Sequence, residues 1–191
     1  MPNDQSSLTT AAPASIAKNP DDVWKRAETY RYWIPIQTRW SDNDQYGHMN
    51  NAYYYHLFDT TVNKFLIDKC ADDRGVSPMA FVVSSSCTYL APVGFPTTLL
   101  VGLATQHVGK SSVHWRLALW PARSAARQPG STEANGNVTL ALERNEEAGC
   151  AAFGSFVHVF VDSESRSRVE MSPTVRKATT GLLSDPHIAS S

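Results

Sequence analysis

The sequence predicts an α+β domain: one strand, one long helix near the start, then a run of hairpin-linked strands. Three observations carry this. Apolar residues alternate with period two at Tyr32, Ile34, Ile36, Thr38 and Trp40. From Asn51 the period becomes 3.6, with Tyr54, Tyr55, Phe58, Val62, Phe65, Leu66 and Lys69 in one stripe. Beyond Pro78 the period returns to two, broken by glycine and proline.

In chain order, Asn19-Pro20-Asp21-Asp22 caps a short helix over Val23 to Ala27, with acidic residues in its first turn. Arg31 to Trp40 forms the first strand. Pro35 within it cannot donate to a ladder, so one side of that strand is unpaired or bulged. The helix over Asn51 to Lys69 is apolar almost all round, since Leu57 and Ile67 lie off the stripe, as expected of an enclosed helix. Thr60-Thr61-Val62 has poor intrinsic helicity, so packing must hold it. It ends between Cys70 and Gly75.

Phe81, Val83, Ser85, Cys87 and Tyr89 alternate in a second strand, stopped by Pro92 to Pro96. Thr97 to Val108 and Ser111 to Trp120 form a hairpin across Gly109-Lys110, where a leading glycine suits a type II′ turn. Val113, Trp115, Leu117 and Leu119 mark a buried face. Phe153, Ser155, Val157, Val159 and Val161 alternate in the last long strand, and Ser172-Pro173 starts a short terminal helix. There is no internal repeat.

The chain of 191 residues suits one domain, over 21–180, with flexible ends at 1–20 and 181–191. The N-terminal stretch is rich in Ser, Thr, Ala and Pro, and buries too little apolar surface to offset its ordering entropy. Residues 121–149 shift towards Ala, Arg, Gly, Asn and Glu and read as a surface insertion, with a small strand over Val138 to Leu142. A net charge of −1 gives no basic field for nucleic acid. The most apolar window, Ala80 to Ala104, is interrupted by serines, prolines and Gly94, so no membrane span is expected. Three cysteines without paired spacing suit reduced thiols, and a start without a secretory or Arg-rich signal suits a cytoplasmic protein. Six histidines lack ligand spacing, so no metal is expected.

The chemistry concentrates at the strand-to-helix junction Asp42-Asn43-Asp44-Gln45-Tyr46-Gly47-His48-Met49-Asn50-Asn51. The first turn of the following helix presents unpaired N–H groups and the positive end of its dipole. A carbonyl oxygen that becomes negative during acyl transfer can be held there, with Asp44 upstream to act on its carbon. An aspartate carboxylate is ionised at neutral pH and serves as nucleophile or as base towards water. Gly47 permits a positive φ or close backbone approach, and Asn51 is read as the helix N-cap.

Arg39-Trp40-Ser41-Asp42-Asn43-Asp44-Gln45-Tyr46-Gly47-His48-Met49-Asn50-Asn51, followed by Tyr54 and Asp59, resembles the opening signature of hotdog-fold acyl-CoA thioesterases of the 4-hydroxybenzoyl-CoA thioesterase type. The likeness extends more loosely to about Lys177, the insertion excepted. It implies a hotdog fold, an antiparallel sheet wrapped around a central helix. It also implies hydrolysis of an acyl-CoA thioester, with coenzyme A as part of the substrate and no separate cofactor. The resemblance further implies a homodimer or homotetramer with its site between subunits.

On this reading Asp44, His48, Asn51 and Asp59 are the candidate catalytic residues. Tyr46, Gly47, Asn50, Tyr54, Lys110 and Ser111 are the candidate substrate contacts. Asp44 sits where the family carries its acid, and Asp59 where a subgroup uses a helix carboxylate. Gly109-Lys110-Ser111-Ser112 resembles a turn that lies near coenzyme A in relatives. Each has a plainer reading: an Asx-turn for Asp44, loop ordering for His48, a bonded helix carboxylate for Asp59. Likewise the tyrosines read as core and Lys110 as a solvated turn residue. Asp42 is expected to bond loop N–H groups. One departure is Gly94-Phe95-Pro96, where relatives often have Gly-Asp. The alternatives in function are a non-catalytic hotdog protein that binds acyl-CoA or serves in an assembly, and a hotdog hydratase or dehydratase, whose motif is not found here.

Overall fold

The computed structural model describes residues 19–124 and 142–184. Most of the predicted tails and much of the insertion, including Val138 to Ala141, therefore lie outside the described residues. Among the described residues six antiparallel strands form the sheet: β1 (Tyr32–Gln37), β2 (Ala80–Tyr89), β3 (Thr98–Val108), β4 (Ser112–Ser124), β5 (Leu142–Arg144) and β6 (Ala152–Phe160). The order is β1-β3-β4-β6-β2, with β5 paired to the far end of β4. Helix α1 (Asn51–Cys70) lies on the inner face and α2 (Pro173–Thr180) packs beside it. This is the hotdog fold, a sheet wrapped around a central helix. Among the described residues no helix is long and apolar enough to cross a membrane.

The inner face is built as the β4 pattern predicts. Val113, Trp115, Leu117 and Leu119 are buried, and Leu99, Val101 and Leu103 of β3 lie opposite in register. Phe58, Val62, Phe65 and Leu66 of α1 press onto them. Gly154 of β6 allows close packing on two sides: a Cβ there would strike Ser86 O of β2 and stand 2.9 Å from Phe58 Cε2, so a side chain would disturb the β2–β6 pairing as well as the helix contact.

Several expectations are corrected. Helix α1 is striped rather than apolar all round. Leu57 joins the buried stripe, while Asp59, Thr60, Asn63, Lys64, Ile67 and Lys69 are exposed, because the sheet covers only one side. β1 stops at Gln37, and Trp40 is 78% exposed. The chain turns away there because Asp42 closes a capping box, its Oδ2 accepting from the Arg39 N–H at 2.8 Å.

In β2 a bulge at Val83 shifts the pairing, so Phe81 and Val82 change faces and the plain alternation fails. The β3–β4 loop is centred on Lys110-Ser111, not Gly109-Lys110. Gly109 N–H donates to Ser112 O at 2.8 Å, and neither loop residue has the positive φ of a type II′ turn. The glycine therefore marks the strand end.

β6 buries Phe156, His158 and Phe160 against α1, whereas Val157 and Val159 face outward and are half-buried. Phe153, on that outer side, is buried by something the alternation did not reveal. The segment 20–30 makes two 3-10 turns, Pro20–Lys25 and Ala27–Thr29, in place of the predicted helix over Val23 to Ala27. It straps Trp24, Ala27 and Tyr30 across Ala104, Ala118, Trp120 and Phe153. Tyr30 donates its hydroxyl to Trp24 O at 2.7 Å, and the Arg116 guanidinium stacks 4.6 Å over Trp24. Each face of the sheet thus has its own apolar cluster.

Candidate active site

The junction 39–51 is ordered by two aspartates used in opposite ways. Asp42 is buried, and its two oxygens accept from the Arg39 N–H at 2.8 Å and the Arg39 Nε at 3.0 Å. Its carbonyl accepts from the Asn50 N–H at 2.9 Å, which ties the two ends of the loop. Asp42 therefore has the structural role expected of it. Asp44 makes the Asx-turn: Oδ1 accepts from the Tyr46 N–H at 2.8 Å and the His48 N–H at 3.4 Å. Its Oδ2 has no partner among the described residues. Gly47 turns the chain back at φ +78°.

One correction concerns the cap of α1. Asn50, not Asn51, is the N-cap, its Oδ1 accepting from the Ala52 N–H at 3.0 Å. Asn51 is the first helical residue because the chain bends at Asn50, in extended conformation at φ −60° and ψ 140°. The predicted substrate contact Asn50 is thus engaged in the cap, and Asn51 is left in the cleft.

That cleft, of about 300 Å³, is lined by Asp44, His48, Met49, Asn51, Tyr54, Tyr89, Leu90, Ala91 and Pro92. It brings together Asp44, His48, Asn51 and Tyr54 of the predicted set. Tyr46 and Gly47 belong to the same loop but do not line the cleft, and Tyr46 is 74% exposed. Asp59 is not in it. Eight residues along α1 separate Asp59 from Asn51, roughly 12 Å of rise, and Asp59 faces out of the subunit.

Lys110 and Ser111 are farther still. Their hairpin lies beside Phe160, at the opposite end of β6 from Ala152 and Tyr89. Ser111 is buried, accepting from the Arg168 guanidinium. Lys110 pairs with Glu170 at 3.5 Å.

The sequence reading missed Met49, Leu90, Ala91, Pro92 and, with the one polar group among them, Tyr89. It forms the opposite wall from β2, its ring edge-on to Tyr54 at 4.9 Å, and its hydroxyl donates to Asn51 O at 3.3 Å. Partial burial, with the Cys87 thiol beside it, pushes the Tyr89 phenol up to about 12, so it remains a donor through the neutral range. The available signal was its place: a tyrosine that ends a strand three residues before Pro92 sits where the strand meets the helix start. Among the described residues no group of three or more His, Cys, Asp or Glu gathers to hold a metal.

A thioesterase superfamily model matches residues 46–125, which include most of this cleft. The solved PA5185 protein of Pseudomonas aeruginosa is 39% identical, with TM-score 0.65, over 83% of this chain and 95% of its own. The 1,4-dihydroxy-2-naphthoyl-CoA thioesterase of Synechocystis is 14% identical, with TM-score 0.59, over 79% of this chain and 96% of its own. A Thermus thermophilus thioesterase complexed with coenzyme A and Zn is 18% identical, with TM-score 0.56, over 78% of this chain and 98% of its own. These last two speak to the fold alone. No curated protein matches the chain. The 39% likeness along nearly the whole of a solved chain, with the family match across the helix and its flanking loop, means that this chain belongs to the thioesterase superfamily.

Proposed function

We propose that the protein hydrolyses an acyl-CoA thioester to a carboxylic acid and free coenzyme A, with Asp44 as the acting carboxylate. The observation that carries this is the cleft itself. It joins the first turn of a helix to an aspartate with one oxygen pinned by the loop and the other without a partner among the described residues. Asp44 Oδ2 takes a proton from water as the water oxygen bonds to the thioester carbon. Negative charge develops on the carbonyl oxygen and is met at the start of α1. The C–S bond then breaks, the thiolate leaves, and the proton passes to it. Coenzyme A enters as part of the substrate, and the reaction needs no further cofactor.

We further read the protein as a homodimer paired through β2. This strand is a sheet edge with Phe81, Val82 and Val83 exposed, the last at 62%, and an open edge of this kind invites a second strand. A twofold axis makes such pairing antiparallel. The Tyr89 end of one β2 then meets the Ala80 end of the other. That pairing carries the partner's Lys110 hairpin, roughly 26 Å from the cleft within one subunit, towards it. Lys110 and Ser111 gain a substrate role only in this way, as contacts to the coenzyme A portion. His48, an exposed residue of the cleft lining, is read as an aid to substrate placement.

The deciding experiment is thiol release across a panel of aromatic and aliphatic acyl-CoA thioesters. Turnover with at least one member is expected. A panel that binds but releases no thiol would leave the protein a non-catalytic acyl-CoA binder.

A further inference from the structure

We infer that the Tyr89 hydroxyl is a donor to the thioester oxygen, acting with the Asn51 N–H; this rests on the hydrolase reading above. Most N–H groups around the helix start are already taken. Ala52 N–H goes to Asn50 Oδ1 at 3.0 Å, and Tyr53 N–H to Asn50 O at 2.9 Å. Tyr46 and His48 N–H turn to Asp44 Oδ1, and Gly47 N–H to Asp44 O at 3.1 Å. Met49 N–H goes to Val93 O at 2.7 Å and Asn50 N–H to Asp42 O at 2.9 Å. Within this run from Tyr46 to Tyr53, Asn51 N–H alone has no acceptor among the described residues.

One backbone donor is a weak cradle for a developing alkoxide. Oxyanion sites work by converging preorganised donors on one point. Tyr89 supplies the missing one from the facing wall. Its hydroxyl already reaches Asn51, at 3.3 Å from the carbonyl oxygen. That carbonyl belongs to the hydrogen-bond ladder of α1, so it loses little when the hydroxyl turns away. The ring is braced edge-on by buried Tyr54, which fixes where the hydroxyl can point.

Tyr89→Phe removes the hydroxyl and keeps the ring. With the best substrate of the panel, kcat is expected to fall about a hundredfold, as when one oxyanion donor is lost. KM and the melting temperature should stay near wild type. Replacing Tyr89 by a fluorinated tyrosine gives a second readout. Its more acidic phenol keeps kcat near neutral pH but imposes an alkaline fall that the wild-type protein lacks.

An unchanged kcat in Tyr89→Phe overturns the inference, as does a rise in KM alone. A loss of kcat that comes with a lower melting temperature assigns the hydroxyl to holding Asn51 and also overturns it. The two readings fail separately. A wild-type protein that hydrolyses nothing in the panel overturns the hydrolase reading. An active wild type with an equally active Tyr89→Phe variant overturns only the role of Tyr89.

Discussion

The junction 39–51 and the β3–β4 hairpin at 109–112 are both short polar connections at the ends of long strands, and they treat polar groups differently. In the hairpin the carbonyls and side chains of Lys110 and Ser111 are paired. Lys110 O accepts from the Met171 N–H at 3.2 Å and from Arg176 at 3.0 Å, and Ser111 O from the Phe160 N–H at 2.9 Å. The side chains of Lys110 and Ser111 meet Glu170 and Arg168. At the junction Asp44 Oδ2 and the Asn51 N–H have no partner among the described residues, and both belong to residues that line the same cleft. A loop that satisfies itself is architecture. One that leaves groups open beside a cleft can offer them to a substrate.

The largest expected effect breaks this contrast at its strongest point. Asp44→Asn keeps the shape and the Oδ1 acceptor of the Asx-turn but removes charge and basicity. Loss of a general base lowers kcat by about 10²- to 10⁴-fold, with little change in melting temperature. Asp59→Asn, exposed and two helical turns away, should cost less than about tenfold. Steady-state kinetics on one good substrate compare the two. A folded Asp44→Asn protein with near-normal turnover would sink the mechanism, and a collapse in Asp59→Asn would transfer the role to α1.

How much of this could be read from the sequence differs by scale. The helix and the β4 face were legible because period and burial agree there, from Val113 to Leu119. The β6 faces were not. The strap of Trp24 and Tyr30 buries the outer side of the sheet at Phe153, so both faces of β6 carry apolar residues and alternation loses its meaning. The cap was misplaced by one residue because Asn50 and Asn51 are equally good caps by type, and only the backbone bend chooses between them. The structural role of Asp42 was legible, but its partner was not: the capping box with Arg39 is a conformational contact. Tyr89 was missed since nothing local couples a β2 residue to the first turn of α1.

The core supplies a third kind of unpaired polar group. His158 of β6 is buried between Phe156 and Trp115, and its Nδ1 has no partner among the described residues. Burial pulls its pKa down to about 4, against the opposing pull of the Asp59 carboxylate. A histidine depressed in the folded state takes up its proton on unfolding. Its contribution to stability is therefore complete above about pH 6.5 and is lost as the pH falls towards 4, by roughly 3 kcal/mol. His158→Phe, which keeps a flat ring and cannot titrate, should flatten that part of the urea-midpoint profile and leave kcat near wild type. Parallel pH slopes for the two proteins would refute the assignment. Unlike the open groups at the junction, this one is inaccessible and affects only stability.

Asn50 tests the boundary between architecture and chemistry within the junction itself. Asn50→Ala deletes the cap bond to the Ala52 N–H and should cost about 1 kcal/mol of stability. That corresponds to a drop in melting temperature of about 2–4 °C for a domain of this size. Because Asn50 holds the helix start and does not line the cleft, kcat should fall less than about tenfold. Loss of a hundredfold or more in kcat without loss of stability would show instead that the Asn50 amide touches substrate.

The smallest effect belongs to the hairpin and asks whether the pairing of its side chains leaves room for a role. The ion pair of Lys110 with Glu170 is exposed on both sides, so Lys110→Ala should change stability by less than about 1 kcal/mol. If the twofold pairing through β2 carries the partner's Lys110 towards the coenzyme A phosphates, KM should rise about three- to tenfold at low ionic strength, with kcat unchanged. The interaction would act across solvent. Raising the salt to about 1 M shortens the screening length to about 3 Å and should bring the variant and the wild type together. A KM that does not respond to the substitution at low salt would leave the hairpin as scaffold alone. It would also remove the reason to place it at a neighbouring subunit's cleft.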